Sequence, residues 1–243
     1  MTEEATHNPI DFTQQYILLR SKEGRIYSDK EVANLPEIDK EHQHYHEWKI
    51  RKQTAGRLIK YLANKKKGLK ILEVGCGNGW LTAKLASIPF SQVTGIDINV
   101  EELTQAKRVF CQIANLEFFI GSLQKEILND QKFDVIVFAA SIQYFPDLKK
   151  IVSEALRHLR LAGEIHIIDS HFYRENEISA ARLRSSDYYR SIGFTEMQDR
   201  YFHHSLAELR SLDYDILYDP NLFINKLKKN KNPFYWVVIQ SNA

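Results

Sequence analysis

Apolar side chains fall into two rhythms along this chain. Short, mostly apolar runs recur at Ile71–Val74, Val93–Ile96, Leu116–Ile120, Phe133–Ala140 and Ile165–Ile168, and each is bounded by glycine or polar residues. Runs of that length suit buried strands, and near-continuous apolar runs suit parallel strands covered on both faces. Between them the spacing changes to three and four. Tyr45, Trp48, Ala55, Leu58, Ile59 and Leu62 make one stripe, so a helix is expected over about 41–63. Lys65-Lys66-Lys67-Gly68 follows as a helix stop rather than a nucleic-acid patch. Helices are also expected after Gly79, over 101–113, over 148–161 and around 180–192, with a strand through Phe202 and another over 234–239. Residues 205–230 read as helices with an insertion. Five alternating strand–helix units predict an α/β fold, a doubly wound sheet with helices on both faces.

Residues 1–40 break both rhythms. They are polar and mixed, with one short apolar element at Phe12, Tyr16, Ile17, Leu18 and Leu19. They read as an extension that wraps the core or forms a lid over a site. Residues 41–243 read as one domain.

The chemistry gathers where the first strand ends. Ile71-Leu72-Glu73-Val74 runs into Gly75-Cys76-Gly77-Asn78-Gly79 and then into a helical pattern. Alternating glycines let the backbone turn with positive φ and let a ligand approach the main chain. A helix starting there directs unpaired N–H groups toward the turn. A dinucleotide fingerprint, G-x-G-x-x-G, needs a third glycine at position 80, where Trp80 stands. Asp97 ends the second strand, 24 positions after Glu73. An acid about 20 residues past such a turn can accept ribose hydroxyls.

The pattern Glu73-x-Gly75-x-Gly77-x-Gly79 resembles the first motif of the class I S-adenosylmethionine-dependent methyltransferases. Ser141-Ile142-Gln143-Tyr144 after the fourth strand and the Leu161-Ala162-Gly163-Glu164 junction are similar to that family as well. The resemblance covers about residues 55–240. It implies a mostly parallel seven-stranded sheet whose last strand is antiparallel, S-adenosylmethionine as cofactor, and methyl transfer to an O or N acceptor. It implies cofactor contacts at Glu73, Gly75, Cys76, Gly77, Gly79, Asp97, Ile98, Ser122, Leu123 and Ala139. Ser122 replaces the acid that the family often places there. Trp48 and Arg51 are expected to close over the methionine end, Arg51 pairing with its carboxylate. His171 and Tyr144 are the candidates for acid–base help at the acceptor, with His203 and His204 in reserve.

Composition narrows the acceptor. A net charge of +2 speaks against nucleic acid, and no Asn/Asp-Pro-Pro-Tyr/Phe motif for base or glutamine methylation is present. A small-molecule acceptor is the first expectation and a protein acceptor the second. His42, His44 and His46 lack a completing cysteine or carboxylate, so no metal site is expected. The two cysteines, no basic-apolar leader and no apolar run near the roughly 18 residues of a membrane span point to a cytoplasmic protein. A non-catalytic binding module and a nicotinamide-dependent reductase are the alternatives. Trp80 and the lack of a well-placed Tyr-x-x-x-Lys pair count against the reductase.

Overall fold

The structure is a computed structural model, and it describes residues 9–123, 128, 131–227 and 231–241. The elements in order are α1 (Pro9–Lys22), α2 (Asp29–Asn34), α3 (Tyr45–Ala63), β1 (Lys70–Val74), α4 (Trp80–Leu85), β2 (Gln92–Asp97), α5 (Val100–Val109), β3 (Leu116–Ile120), β4 (Phe133–Ala139), α6 (Leu148–Arg157), β5 (Leu159–Ile168), β6 (Phe172–Tyr173), α7 (Ile178–Ser191), β7 (His204–Ser205), β8 (Tyr214–Tyr218), α8 (Phe223–Lys226) and β9 (Trp236–Gln240). Seven strands form one sheet in the order β3-β2-β1-β4-β5-β9-β8. Strands β3, β2, β1, β4 and β5 run parallel, and β9 lies antiparallel between β5 and β8. The expected sheet is therefore present.

Alternation within the strands divides the core. Ile71, Val135 and Val137 face one side with Leu58 and Leu62 of α3 and Leu81 and Leu85 of α4. Leu72, Ile136, Phe138, Ile165 and Ile167 face the other, against Leu148, Ile151, Val152 and Ala155 of α6. Those α6 positions step by three and four, so one stripe is buried. Asp147 caps that helix by accepting from the Lys150 amide at 2.9 Å. Each fully buried Ile or Phe contributes about 1.5–3 kcal/mol.

The late strands differ from expectation. Residues 195–200 form a 3-10 turn, not a strand, and the second late strand is β8, inside the span read as helical. The alternation that should reveal β8 is weak: Asp215, Ile216 and Leu217 are all exposed at the sheet edge. Residues 228–230 of that span lie outside the described residues. Helix α6 also ends sooner than expected, because Leu159 already pairs with Phe133 at the start of β5.

The first helix-bearing segment packs into the domain. Tyr27, Val32 and Leu35 are buried in the same cluster as α3 and α4, and Asp29 binds Arg108 of α5 at 2.7 Å. Residues 1–8 of the expected lid lie outside the described residues. His166, at the centre of β5, is fully buried and accepts from the Trp236 indole at 3.0 Å. Its Nε2 then donates to Glu164 at 3.1 Å, a neutral histidine satisfied on both sides.

Gly56 lies inside α3, exposed, with open space where a Cβ would go. Gly56→Ala should therefore stabilise the fold by roughly 0.5–1 kcal/mol through helix propensity alone. The thermal midpoint should rise by about 1–4 °C, and a fall would show that the backbone needs glycine there.

Candidate active site

A cavity opens at the C-terminal ends of β1, β2 and β4, the place where open parallel sheets bind ligands. The glycine turn forms its floor. Gly75, Gly77 and Gly79 all have positive φ, at 73°, 52° and 74°. A Cβ on Gly75 would sit 2.6 Å from the Ser141 Cβ. On Gly79 it would sit 2.5 Å from the Phe118 ring and 2.9 Å from the Ala106 Cβ. Gly79 thus permits the close helix–strand approach, and Trp80 beside it packs edge-on against Trp48 at 5.2 Å. Gly79 is not part of the cavity wall, whereas Gly75, Cys76 and Gly77 are.

The turn offers less than expected as a row of free donors. The amides of Gly75 and Cys76 donate to the Ile96 carbonyl at 2.9 and 3.1 Å, and that of Gly79 to the Cys76 carbonyl at 3.0 Å. The Gly77 amide donates to Asp97 Oδ2 at 2.8 Å. The helix beyond is only six residues long. The turn therefore supplies room for a ligand more than hydrogen bonds to it.

Four acids line the cavity, Glu47 on the α3 side and Glu73, Asp97 and Glu102 at the strand ends and on α5. Asp97 accepts from Gly77 and, through Oδ1, from the Asn99 amide at 2.8 Å. Burial raises its pKa despite those two bonds. Glu102, in the first turn of α5, is pushed up to about 7 by burial and then by Asp97. Glu73 ends β1 with only 2% of its surface exposed, and its Oε2 accepts from Thr82 Oγ1 at 2.6 Å. Burial pushes Glu73 up to about 8.

Glu73 predicts a pH effect. Its pKa is near 4.5 when unfolded and about 8 when folded, so ionisation costs the folded state. Its destabilising contribution grows as pH rises from about 4.5 to about 8 and is constant above, at about 1.4 kcal/mol per unit of displacement. Glu73→Gln should gain stability relative to wild type as pH rises from 5 to 8. Urea unfolding at both pH values reads the difference, and parallel curves would refute it.

Helices α1 and α3 roof the cavity. Trp48 donates to the Tyr27 hydroxyl at 2.8 Å, and Arg51 lies 5.4 Å over the Trp48 ring. Arg51 Nε donates to Glu47 Oε1 at 3.0 Å, and Arg25 pairs with both Glu47 oxygens at 2.9 and 2.6 Å. Burial alone would raise Glu47, but these two arginines outweigh it and hold the carboxyl down to about 2. From α1 come Phe12, Tyr16 and Arg20. Tyr16 meets Tyr144 edge-on at 5.6 Å.

Most residues expected at the site line this one cavity: Trp48, Arg51, Glu73, Gly75, Cys76, Gly77, Asp97, Ile98, Ser122, Ala139 and Tyr144. Leu123 does not, since its side chain packs into the core with Ile136 and Phe138. His171 does not either. It is exposed and packs at a 60° tilt against Phe234, with ring centroids 4.6 Å apart. His203 is buried against Ser185 at 2.9 Å, and His204 against the Phe145 carbonyl at 3.0 Å. Arg20, Arg25, Glu47, Asn99 and Glu102 line the cavity without having been singled out. The α3 stripe brings Trp48 and Arg51 to attention, but Glu47 looks like an ordinary solvated acid. Asp169, the residue after β5, lies outside this cavity wall. It is buried with φ +52°, and burial pushes it up to about 6.

A family model described as a methyltransferase domain matches residues 65–239. The chain belongs to this methyltransferase domain family. Among curated relatives, a demethylmenaquinone methyltransferase of Chlorobaculum parvum is 36% identical over 100 residues, 41% of this chain and 40% of that protein. A malonyl-[acyl-carrier protein] O-methyltransferase of Acetivibrio thermocellus is 34% identical over 117 residues, 47% of this chain and 41% of the relative. The match thus spans less than half the length of either relative. The magnesium protoporphyrin IX methyltransferase of Synechocystis PCC 6803, solved with bound SAH, superposes on 96% of the family member described here and 98% of its own chain. Its TM-score is 0.60 at 15% identity, a likeness of fold. Among the described residues no helix is long and apolar enough to cross a membrane.

Proposed function

We propose that this chain binds S-adenosylmethionine in the strand-end cavity and transfers its methyl group to the oxygen or nitrogen of a small-molecule acceptor. The observation that carries this reading is the convergence, in one cavity, of a positive-φ glycine turn at Gly75 and Gly77 and the carboxylate of Asp97. Family membership supports it, and the small-molecule acceptor rests on the names of curated relatives.

In this reading Asp97 takes the ribose hydroxyls, while Ile98 and Ser122 flank the base. Glu73 faces the ammonium group, and Trp48 and Arg51 close on the methionine carboxylate. When bound, the cofactor supplies a methyl group made electrophilic by its sulfonium, whose S–C electron pair returns to sulfur as S-adenosylhomocysteine forms. The chain's part is to hold the acceptor in line with that carbon and to exclude water. Ala139, Ala140 and Tyr144 line the cavity at the end of β4 and beyond, suited to that task. The α1 helix serves as the cover over both ligands. His171, outside the cavity wall, has no part in this reading.

Calorimetry of the purified protein with S-adenosylhomocysteine, beside NADPH, tests it. Heat with the first and none with the second is the expected result. No binding of S-adenosylhomocysteine would end the methyl-transfer reading, and binding of NADPH in its place would favour a reductase.

A further inference from the structure

Arg20 is a feature of the cavity that cofactor binding leaves unused. It lies on α1 and lines the cavity, its guanidinium carbon 5.0 Å over the Tyr16 ring and its Nε donating to the Tyr16 hydroxyl at 3.0 Å. Among the described residues its contact with a carboxylate is Nη1 to Glu23 Oε2 at 3.4 Å. That is long for a charge-assisted bond. Glu23 is also shared. The same oxygen meets Arg25 at 3.2 Å, and the other accepts from the Tyr188 hydroxyl at 2.6 Å. Arg25 and Arg51 are engaged with Glu47.

One acid on the opposite wall, Glu102, feels the same charge. Glu102 is held at about 7, so it is only partly ionised near neutral pH, and Asp97 already accepts two backbone bonds. Two of the five guanidinium N–H groups of Arg20 are therefore engaged among the described residues, on a side chain 23% exposed. A cation so placed calls for an anion, and the guanidinium fork matches a carboxylate.

The surroundings describe the rest of the ligand. Tyr16 and Tyr144 meet edge-on at 5.6 Å, and Phe12 lies 6.2 Å from Tyr144. Burial raises the pKa of both phenols, so their hydroxyls remain protonated and able to donate. Aromatic walls favour an apolar or aromatic body.

We propose that the methyl acceptor is a carboxylic acid with an apolar or aromatic body, its carboxylate seated on Arg20 beside the contacting rings of Tyr16 and Tyr144. This rests on the methyl-transfer reading and names the acceptor class for the same cavity.

The test uses the full chain saturated with S-adenosylhomocysteine. It is titrated, by ligand-observed NMR, with a panel of aromatic and aliphatic monocarboxylates, each beside its uncharged primary amide. At least one acid should bind roughly tenfold or more tightly than its amide. Arg20→Met should remove that preference and leave S-adenosylhomocysteine affinity unchanged, which also reports that the variant folds. Arg20→Lys should restore part of the preference, since it keeps the charge and loses the fork. The proposal is overturned if no acid exceeds its amide, or if the preference survives in Arg20→Met. It is also overturned if Arg20→Met loses S-adenosylhomocysteine, which would assign Arg20 to the cofactor. Failure of the wild type to bind S-adenosylhomocysteine is a separate result, and it removes the methyl-transfer reading itself.

Discussion

Asp97→Ala should weaken binding of S-adenosylhomocysteine by about 2–3 kcal/mol, roughly 30- to 160-fold, the range for a charge-assisted bond lost at a buried site. Two losses combine. The carboxylate proposed to hold the ribose is gone, and the Gly77 and Asn99 amides lose the acceptor that each meets at 2.8 Å. The glycine turn thereby loses one of its ties to the end of β2, while the Gly75 and Cys76 amides keep the Ile96 carbonyl. The fold should persist, because Asp97 ends its strand and Ile96 and Val93 carry that strand's buried face. Removing Asp97 also removes the neighbour that helps to raise Glu102, so the Glu102 pKa should fall toward its ordinary value. Calorimetry gives the affinity, and an unchanged dissociation constant would remove Asp97 from the site.

Gly75→Val should abolish cofactor binding. A non-glycine residue at φ 73° costs about 1–2 kcal/mol in backbone strain, more for a β-branched side chain. The added Cβ would stand 2.6 Å from that of Ser141, which cannot withdraw freely because its hydroxyl donates to the Val74 carbonyl at 2.7 Å. Relief requires the β1 and β4 ends to part, and that distorts the cavity floor. Affinity should fall by more than a hundredfold, a loss of at least about 2.7 kcal/mol. The unfolding midpoint should fall as well. Circular dichroism separates the two effects, since retained helix and strand signal without binding is the expected outcome. Binding at wild-type affinity would mean that the ligand lies elsewhere. The same substitution at Gly77 meets only the mobile end of Glu102 at 3.2 Å, so its steric cost should be smaller.

Much of the fold was legible because the signals are local. The apolar run at β4, the three-and-four spacing of α3, and an acid after a glycine turn each reflect forces acting within one element. Seven mostly parallel strands with an antiparallel last one followed from the family pattern, but the identity of the edge strand did not. Strand β8 is exposed at Asp215, Ile216 and Leu217, so burial imposes no alternation on it. Pairing with β9 makes it a strand, through Asp215 opposite Val238 and Ile216 opposite Val237.

The sequence by itself determined the floor of the site. Positive φ at alternating glycines and a buried strand ending in Asp97 are properties of neighbouring residues, readable without the rest of the chain. Only the tertiary structure decided the roof. Tyr16 meets Tyr144, 128 positions away, and Arg20 lies over a cavity whose acids come from β1, β2, α3 and α5. Nothing in residues 12–20 alone distinguishes an arginine facing such a cavity from one facing water. The same holds for His171, which follows a strand at the ligand end of the sheet yet turns outward onto Phe234. A side chain's direction at a strand end is set by the loop's packing, and that depends on residues far away in sequence.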